Sequence, residues 1–200
     1  SFIQIGSCVE YGFKNSPQKE ENINYKQKLK SVYGKAKLLG SEYLLDLNKK
    51  YNFPVKIFKL YLVYGPRQDQ NRLIPITINS CLSGKKFHCS SGDQMRDFLY
   101  VDDLIHALYK SLDNTDIIGK TINLGYGKPY KVKYVINLIK KTINLGKPIF
   151  GKIKLRKDEI KFLYPDIKKA KKYLNWKPKI SLKKGIEETI NDYKKQRSFV

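Results

Sequence analysis

The sequence predicts an α/β fold built on a parallel sheet, and three observations carry that reading. Short β-branched and aromatic stretches alternate with longer stretches whose apolar residues recur at helical spacing. At 200 residues and 41% hydrophobic content, the chain can bury one good core, or one domain with a smaller lobe. No internal repeat and no low-complexity linker divides it.

Phe2, Ile3 and Ile5 form an alternating apolar run that reads as a strand. Residues 13–30 are polar and rich in Pro, Asn and Lys, hence a loop. From Val32 to Tyr51 the residues Tyr33, Ala36, Leu39, Tyr43, Leu44 and Leu47 recur on a helical period. The stretch PVKIFKLYLVYG (54–65) reads as one buried strand ending in a Gly-Pro turn. A helix fits 73–83, a short strand 85–89, and a helix 102–112 capped by Asp102 or Val101. KTINLG (120–125) is a strand, 131–144 a helix, and GKIKL (151–155) a further strand. Helices over about 166–174 and 181–195 follow, with Asp166 and Ser181 as N-caps.

The formal net charge is +22, which raises a nucleic-acid reading. The excess is Lys rather than Arg and is spread along the whole chain, unlike the concentrated Arg and grooved aromatics of nucleic-acid readers. It reads as solvated surface, compatible with acidic small molecules, and points away from nucleic acid as a partner. No run of about 18 apolar residues is present, so no membrane span is expected, and no signal-peptide pattern is visible. Cys8, Cys81 and Cys89 lack CxxC spacing and fit a reducing cytoplasm. His88 and His106 have no partners at metal-ligand spacing, so no metal site is expected.

Tyr33 stands four residues before Lys37. The chain has 15 Tyr and 40 basic residues, of which five are Arg, so composition alone gives about 2.6 such pairs. Three occur: Tyr33/Lys37, Tyr164/Lys168 and Tyr173/Lys177. Context separates them. Tyr33 and Lys37 share one face of the expected helix, where an ammonium favours the phenolate of a neighbouring Tyr. Tyr164 precedes Pro165, which disfavours a helix, and Asn175 and Pro178 interrupt the third pair.

With IQIGSCVEYG, LYLVYGPRQDQNRLIP, GDQMRDFLYVDDL, INLGYGKPYKV and YPDIKKAKKYLNWKPKISLKKGIEETI in this order, the sequence resembles the extended short-chain dehydrogenase/reductases. Within them it is similar to the NAD(P)-dependent nucleotide-sugar epimerases, dehydratases and reductases. The resemblance implies the later half of a Rossmann-type sheet, over 1–62 and 99–126, carrying a Ser/Tyr/Lys site. A small nucleotide-sugar lobe is implied over 63–98 and 127–200. Tyr33 is then the general acid/base at a sugar oxygen, Ser7 bonds the same oxygen, and Lys37 holds the nicotinamide ribose and tunes Tyr33. Tyr61 matches the aromatic beside the nicotinamide. Arg96 and Arg72 match diphosphate contacts, Arg156 and Glu159 an Arg-x-x-acid pair near the nucleotide ribose, and Phe87 the edge strand under the base. Without the resemblance, Ser7 reads as a strand-end turn residue and Arg96 as a surface ion pair with Asp97.

The departures from the family pattern are informative. The family's dehydratases carry Asp-Glu where this chain has Cys8 and Val9, which leaves C4 epimerisation or 4-keto reduction, and the resemblance implies surface-polysaccharide synthesis. Leu62 stands where the family commonly has Asn. No Gly-x-x-Gly-x-x-Gly turn for the dinucleotide pyrophosphate occurs in the 200 residues, so the chain is expected to contact only the nicotinamide end of NAD or NADP and to be a fragment or the product of a truncated or split gene. The partners implied are a nucleoside-diphosphate sugar and either a second copy in a homodimer or an N-terminal half chain. The rival readings are a non-catalytic remnant that binds nucleotide sugar or a partner chain, and a polyanion-binding module.

Overall fold

The computed structural model describes residues 1–26, 29–156 and 158–197. The alternating run forms β1 (Phe2–Ser7), and the long helical period forms α1 (Val32–Tyr51). Ser31 caps α1 by accepting the Gly34 N–H on Oγ at 3.2 Å, and Asn52 closes it in the left-handed region at φ 54°. Next come β2 (Val55–Leu60), β3 (Leu62–Tyr64), α2 (Leu73–Leu82), β4 (Lys86–His88) and β5 (Met95–Tyr100). α3 (Val101–Ser111), β6 (Thr121–Leu124), β7 (Pro129–Lys131), α4 (Val132–Ile143) and β8 (Lys147–Ile149) follow. The order ends with β9 (Phe162–Leu163), α5 (Lys168–Leu174) and α6 (Leu182–Arg197).

β1, β2 and β6 make a parallel three-stranded sheet in the order β1-β2-β6. A second sheet runs β3-β5-β7, with β9 also paired to β5, and β4 pairs with β8. The stretch 54–65 is therefore two strands rather than one: β2 belongs to the first sheet and β3 to the second, and the chain changes sheet at Tyr61. Residues 151–155 form no strand; they are exposed turn and bend, with Gly151 at φ 79°. β5 was hidden from the apolar pattern by Arg96 and Asp97, both of which are buried. Neither Asp102 nor Val101 caps α3, whose N-cap is Tyr100. Asp103 instead accepts the Lys179 and Ile180 N–H groups, both at 2.9 Å, and ties the approach to α6 onto α3. Asp166 accepts the Lys168 N–H at 2.8 Å from one residue before the α5 N-cap, while Ser181 caps α6 through Lys184 N–H at 3.3 Å.

One apolar cluster packs α2, α4 and α6 against β5, with Ile78, Cys81, Val135, Ile139 and Ile186 all fully buried. Another lies between β2, β6, α3 and α5 and is closed by Trp176. β2 runs through the middle of the first sheet and is buried from Val55 to Lys59, lysines included. Lys56 donates to the Ser111 and Leu112 carbonyls at 2.6 and 2.8 Å, at the C-terminal end of α3, where the helix dipole favours a cation. Among the described residues no helix is long and apolar enough to cross a membrane.

Asp97 secures the turn after β6. It is fully buried, and its two oxygens accept the Tyr126 and Gly127 N–H groups, each at 2.7 Å. Burial pushes its carboxyl up to about 7, against the backbone donors that favour the charged form. A carboxyl whose pKa is raised on folding adds stability below its unfolded pKa and loses that contribution as pH rises through the folded value. The stability difference between the wild type and Asp97→Asn is therefore expected to shrink as pH rises from about 4 to about 7. Thermal melts of both proteins across that range check this, and a pH-independent difference contradicts it.

Candidate active site

In the parallel register Ser7 lies opposite Leu60, which in turn lies opposite Leu124, so Ser7 sits at the carboxyl edge of the sheet next to Tyr61. Ligands of open α/β sheets bind at that edge. β1 ends there because residues 8–11 turn into a short 3-10 helix capped by Ser7. The Ser7 N–H donates to Glu10 Oε1 at 2.8 Å, and Ser7 Oγ accepts a long 3.5 Å contact from Val9 N–H. Ser7 Oγ also accepts from the Glu10 backbone N–H, which completes a capping box with the Ser7 N–H bond to the Glu10 carboxylate.

A cavity of about 750 Å³ opens over this edge, and Ser7, Cys8, Tyr33, Tyr61, Asn71 and Arg72 are among the residues lining it. Tyr33 stands in the first turn of α1, 56% exposed. One turn later Lys37 donates to the Ile5 carbonyl at 2.9 Å, with its ammonium 5.8 Å from the Tyr33 ring centre. Tyr61 is buried; its hydroxyl donates to Gln18 Oε1 at 2.9 Å, and burial drives its pKa up. Burial also pushes the Cys8 thiol up to about 12, so it is neutral at physiological pH and offers no base.

Arg72 precedes α2, is exposed and is among the residues lining the cavity. Arg96 is only 7% exposed and pairs with Glu159, and its Nη1 also donates to the Met95 carbonyl at 2.8 Å. The expected alternative, a surface pair of Arg96 with Asp97, is corrected: Asp97 holds the turn after β6. Arg156 is exposed and meets Glu159 through the backbone, its carbonyl accepting the Glu159 N–H at 3.1 Å. Phe87 sits in β4 opposite Pro148 and packs on the α2/α4/α6 core, outside the cavity lining. Ser7, Tyr33, Tyr61 and Arg72 thus share one cavity with Lys37 beside Tyr33; Arg96 and Glu159 form a second cluster, which Arg156 meets through its backbone alone, and Phe87 joins neither.

The sequence profile of the NAD dependent epimerase/dehydratase family matches residues 1–125. The chain belongs to that family. It is 35% identical over 195 residues to a putative UDP-glucose 4-epimerase of Methanocaldococcus jannaschii, a match covering 95% of this chain and 61% of that protein. The UDP-glucose 4-epimerase of Thermotoga maritima, solved with UDP-glucose, superposes with a TM-score of 0.89 at 27% identity, over 98% of this chain and 64% of that one. The UDP-glucuronic acid 4-epimerase of Bacillus cereus, in complex with UDP-glucuronic acid and NAD, gives 0.88 at 29% identity, over 98% and 62%. The chain spans less than two thirds of each of these three relatives. The superpositions bear out the α/β class and the Rossmann-type parallel sheet.

For this family member, sequence reasoning missed the layer beneath the site. Glu10, Ser41 and Lys59 are all fully buried; Glu10 Oε2 accepts from the Lys59 ammonium and from Ser41 Oγ, the latter at 2.9 Å. Lys59 Nζ also donates to Ser41 Oγ at 2.7 Å. The readable signal was Ser7-x-x-Glu10, the spacing of a capping box. A second network carries the segment after residue 12 onto β6. Tyr11 donates to Asn123 Oδ1 at 2.6 Å, the Asn123 N–H donates to Glu20 at 2.8 Å, and Asn123 Nδ2 donates to the Gln18 carbonyl at 2.9 Å. Among the described residues no group of three His, Cys, Asp or Glu side chains could hold a metal ion.

Proposed function

We propose that this chain carries the proton-transfer and substrate-binding part of an NAD(P)-dependent enzyme that interconverts a nucleoside-diphosphate sugar by C4 epimerisation or 4-keto reduction. The observation that carries the reading is the shared cavity: Ser7, Tyr33 and Tyr61 line it, with Lys37 one helical turn from Tyr33. Residues 1–62 and 99–126 hold this Ser/Tyr/Lys site, and 63–98 with 127–200 form the substrate lobe. The neutral Cys8 thiol supports epimerisation or reduction over 4,6-dehydration, which needs an acid/base group at that place.

Tyr33 takes the proton from the sugar C4 hydroxyl, or returns it to the carbonyl oxygen, as general acid/base. Ser7 Oγ donates to the same oxygen and steadies its developing charge. Lys37 stands one turn from Tyr33, and its N–H groups not committed to Ile5 can hold ribose hydroxyls. Arg96 and Arg72 bind diphosphate oxygens, a task suited to guanidinium, and Glu159 with Arg156 takes the nucleotide ribose.

The residues present fit only the nicotinamide end of the cofactor: Tyr33 and Tyr61 face the cavity beside the Lys37 ammonium, and no glycine-rich turn for a pyrophosphate occurs in the sequence. When bound, the nicotinamide supplies or accepts the hydride. The pyrophosphate cradle then lies outside these 200 residues, and the open edge of β1, paired only to β2 among the described residues, supports parallel docking of a further strand. Residues 1–200 alone are expected not to bind NAD(H) measurably, and to bind it once co-expressed with the N-terminal half of a family member. Micromolar NAD(H) binding by the 200-residue chain alone, in a fluorescence titration, contradicts this.

In that completed enzyme, Tyr33→Phe is expected to lower turnover of the nucleotide sugar by about 10²–10⁴ with little change in substrate affinity. Tyr164→Phe and Tyr173→Phe serve as near-neutral controls. Turnover in Tyr33→Phe close to wild type removes Tyr33 from the reaction.

Arg96→Ala and Arg72→Ala are each expected to weaken UDP binding, Arg96 more. One charge-assisted hydrogen bond is worth about 1.5–3 kcal/mol, roughly tenfold or more in affinity. Unchanged binding of UDP to Arg96→Ala by calorimetry returns Arg96 to a purely structural pair with Glu159.

A further inference from the structure

The Glu10 carboxylate touches each of the three elements that carry the site. Its Oε1 accepts the Ser7 N–H at the end of β1, and its Oε2 accepts from Ser41 of α1 and Lys59 of β2. Ser41 lies on the helix that bears Tyr33 and Lys37, one turn beyond Lys37 and on the buried side. Lys59 lies two residues before Tyr61. The strand makes room for this group: a Cβ on Gly6 would stand 2.7 Å from Glu10 Oε1 and 2.9 Å from Lys59 Cδ. The first turn of α1 is seated on the same 3-10 turn, since a Cβ on Gly34 would lie 3.6 Å from Val9 Cγ2.

A fully buried ion pair is a poor device for stability alone, because desolvating both charges offsets most of their attraction. Its value lies in direction. Hydrogen bonds from three elements to one carboxylate set where those elements stand relative to one another. Ser7 is extended, at φ −148° and ψ 149°, and the bond from its N–H to Glu10, with the Glu10 N–H on Oγ, ties the end of β1 from which Oγ projects to this carboxylate.

We infer that Glu10, held by Lys59 and Ser41, is a positioning residue that aims Ser7 Oγ at the same substrate oxygen as Tyr33. The inference rests on the proposed Ser/Tyr/Lys chemistry and adds to it a group that touches neither substrate nor cofactor. Lys59 neutralises the carboxylate and Ser41 indexes it to α1.

Two double variants test this, assayed in the chain together with its dinucleotide-binding segment, with UDP-glucose and NAD(H). Glu10→Gln with Lys59→Met removes both charges but keeps a carbonyl acceptor for Ser7 N–H. Glu10→Met with Lys59→Met removes both charges and the acceptor. Neither leaves an unpaired buried charge. The Met/Met variant is expected to lose at least tenfold in kcat with KM within twofold, and the Gln/Met variant to recover most of that loss. Hydrogen exchange at the Ser7 amide is expected to quicken at least tenfold in Met/Met only. Equal kcat in the two variants, or equal Ser7 exchange, overturns the inference. If the Met/Met protein does not fold, Glu10→Asp alone decides. The shorter carboxylate keeps the charge but draws back from Ser7, so kcat is expected to fall and Ser7 exchange to quicken; wild-type values for both overturn the inference. An inactive wild type contradicts the proposed function, and Ser7 exchange still decides the role of Glu10.

Discussion

The arrangement of the site depends on one buried carboxylate meeting three elements at once. Glu10 reaches the end of β1 through Ser7, the middle of α1 through Ser41, and β2 through Lys59. Burial disfavours the Lys59 ammonium, and the Glu10 charge opposes that effect. Such a group tolerates little displacement, because loss of either partner strands a charge where water cannot reach it. Ser7, Tyr33 and Tyr61 therefore owe their mutual placement to a residue that lies below the cavity floor.

Around that point the molecule divides its labour by chemistry. Apolar side chains of α2, α4 and α6 secure the β5 sheet from one direction, and α3, α5 and Trp176 close the other core. One set of buried polar side chains, Asn123, Gln18, Glu20 and Tyr11, holds the segment after residue 12 against β6. These groups specify one arrangement because each unmade bond would leave a buried polar atom without a partner. The surface lysines, by contrast, give the chain its charge of +22 without forming the site.

Much of this was legible in the residues, and the failures have physical causes. The bounds of α2 and α4 follow from apolar periodicity, because each buries a single stripe; α1 keeps the expected bounds although Tyr33, Leu39 and Tyr43 of its apolar period are exposed, and it buries Gly34, Leu38 and Ser41 instead. The stretch 54–65 reads as one strand because a continuous apolar run does not record that its two halves pair with different neighbours. β5 escapes notice because Arg96 and Asp97 break its pattern, yet both charges are satisfied inside the protein. Ile153 and Leu155 alternate like a strand and are exposed at 52% and 41%, so alternation there serves no sheet. Ser7, Tyr33 and Lys37 could be chosen from many Tyr and Lys by their helical context and motif order. Lys59 could not, since nothing in PVKIFKLYLVYG says that its amine has a carboxylate waiting behind the sheet.

The most direct test of the account is a crystal structure of the chain with UDP-glucose. The account predicts one sugar oxygen within about 2.6–3.2 Å of both Tyr33 Oη and Ser7 Oγ. It also predicts the diphosphate against Arg72 and Arg96. A sugar bound outside this cavity, or Tyr33 and Ser7 turned to different oxygens, would contradict it.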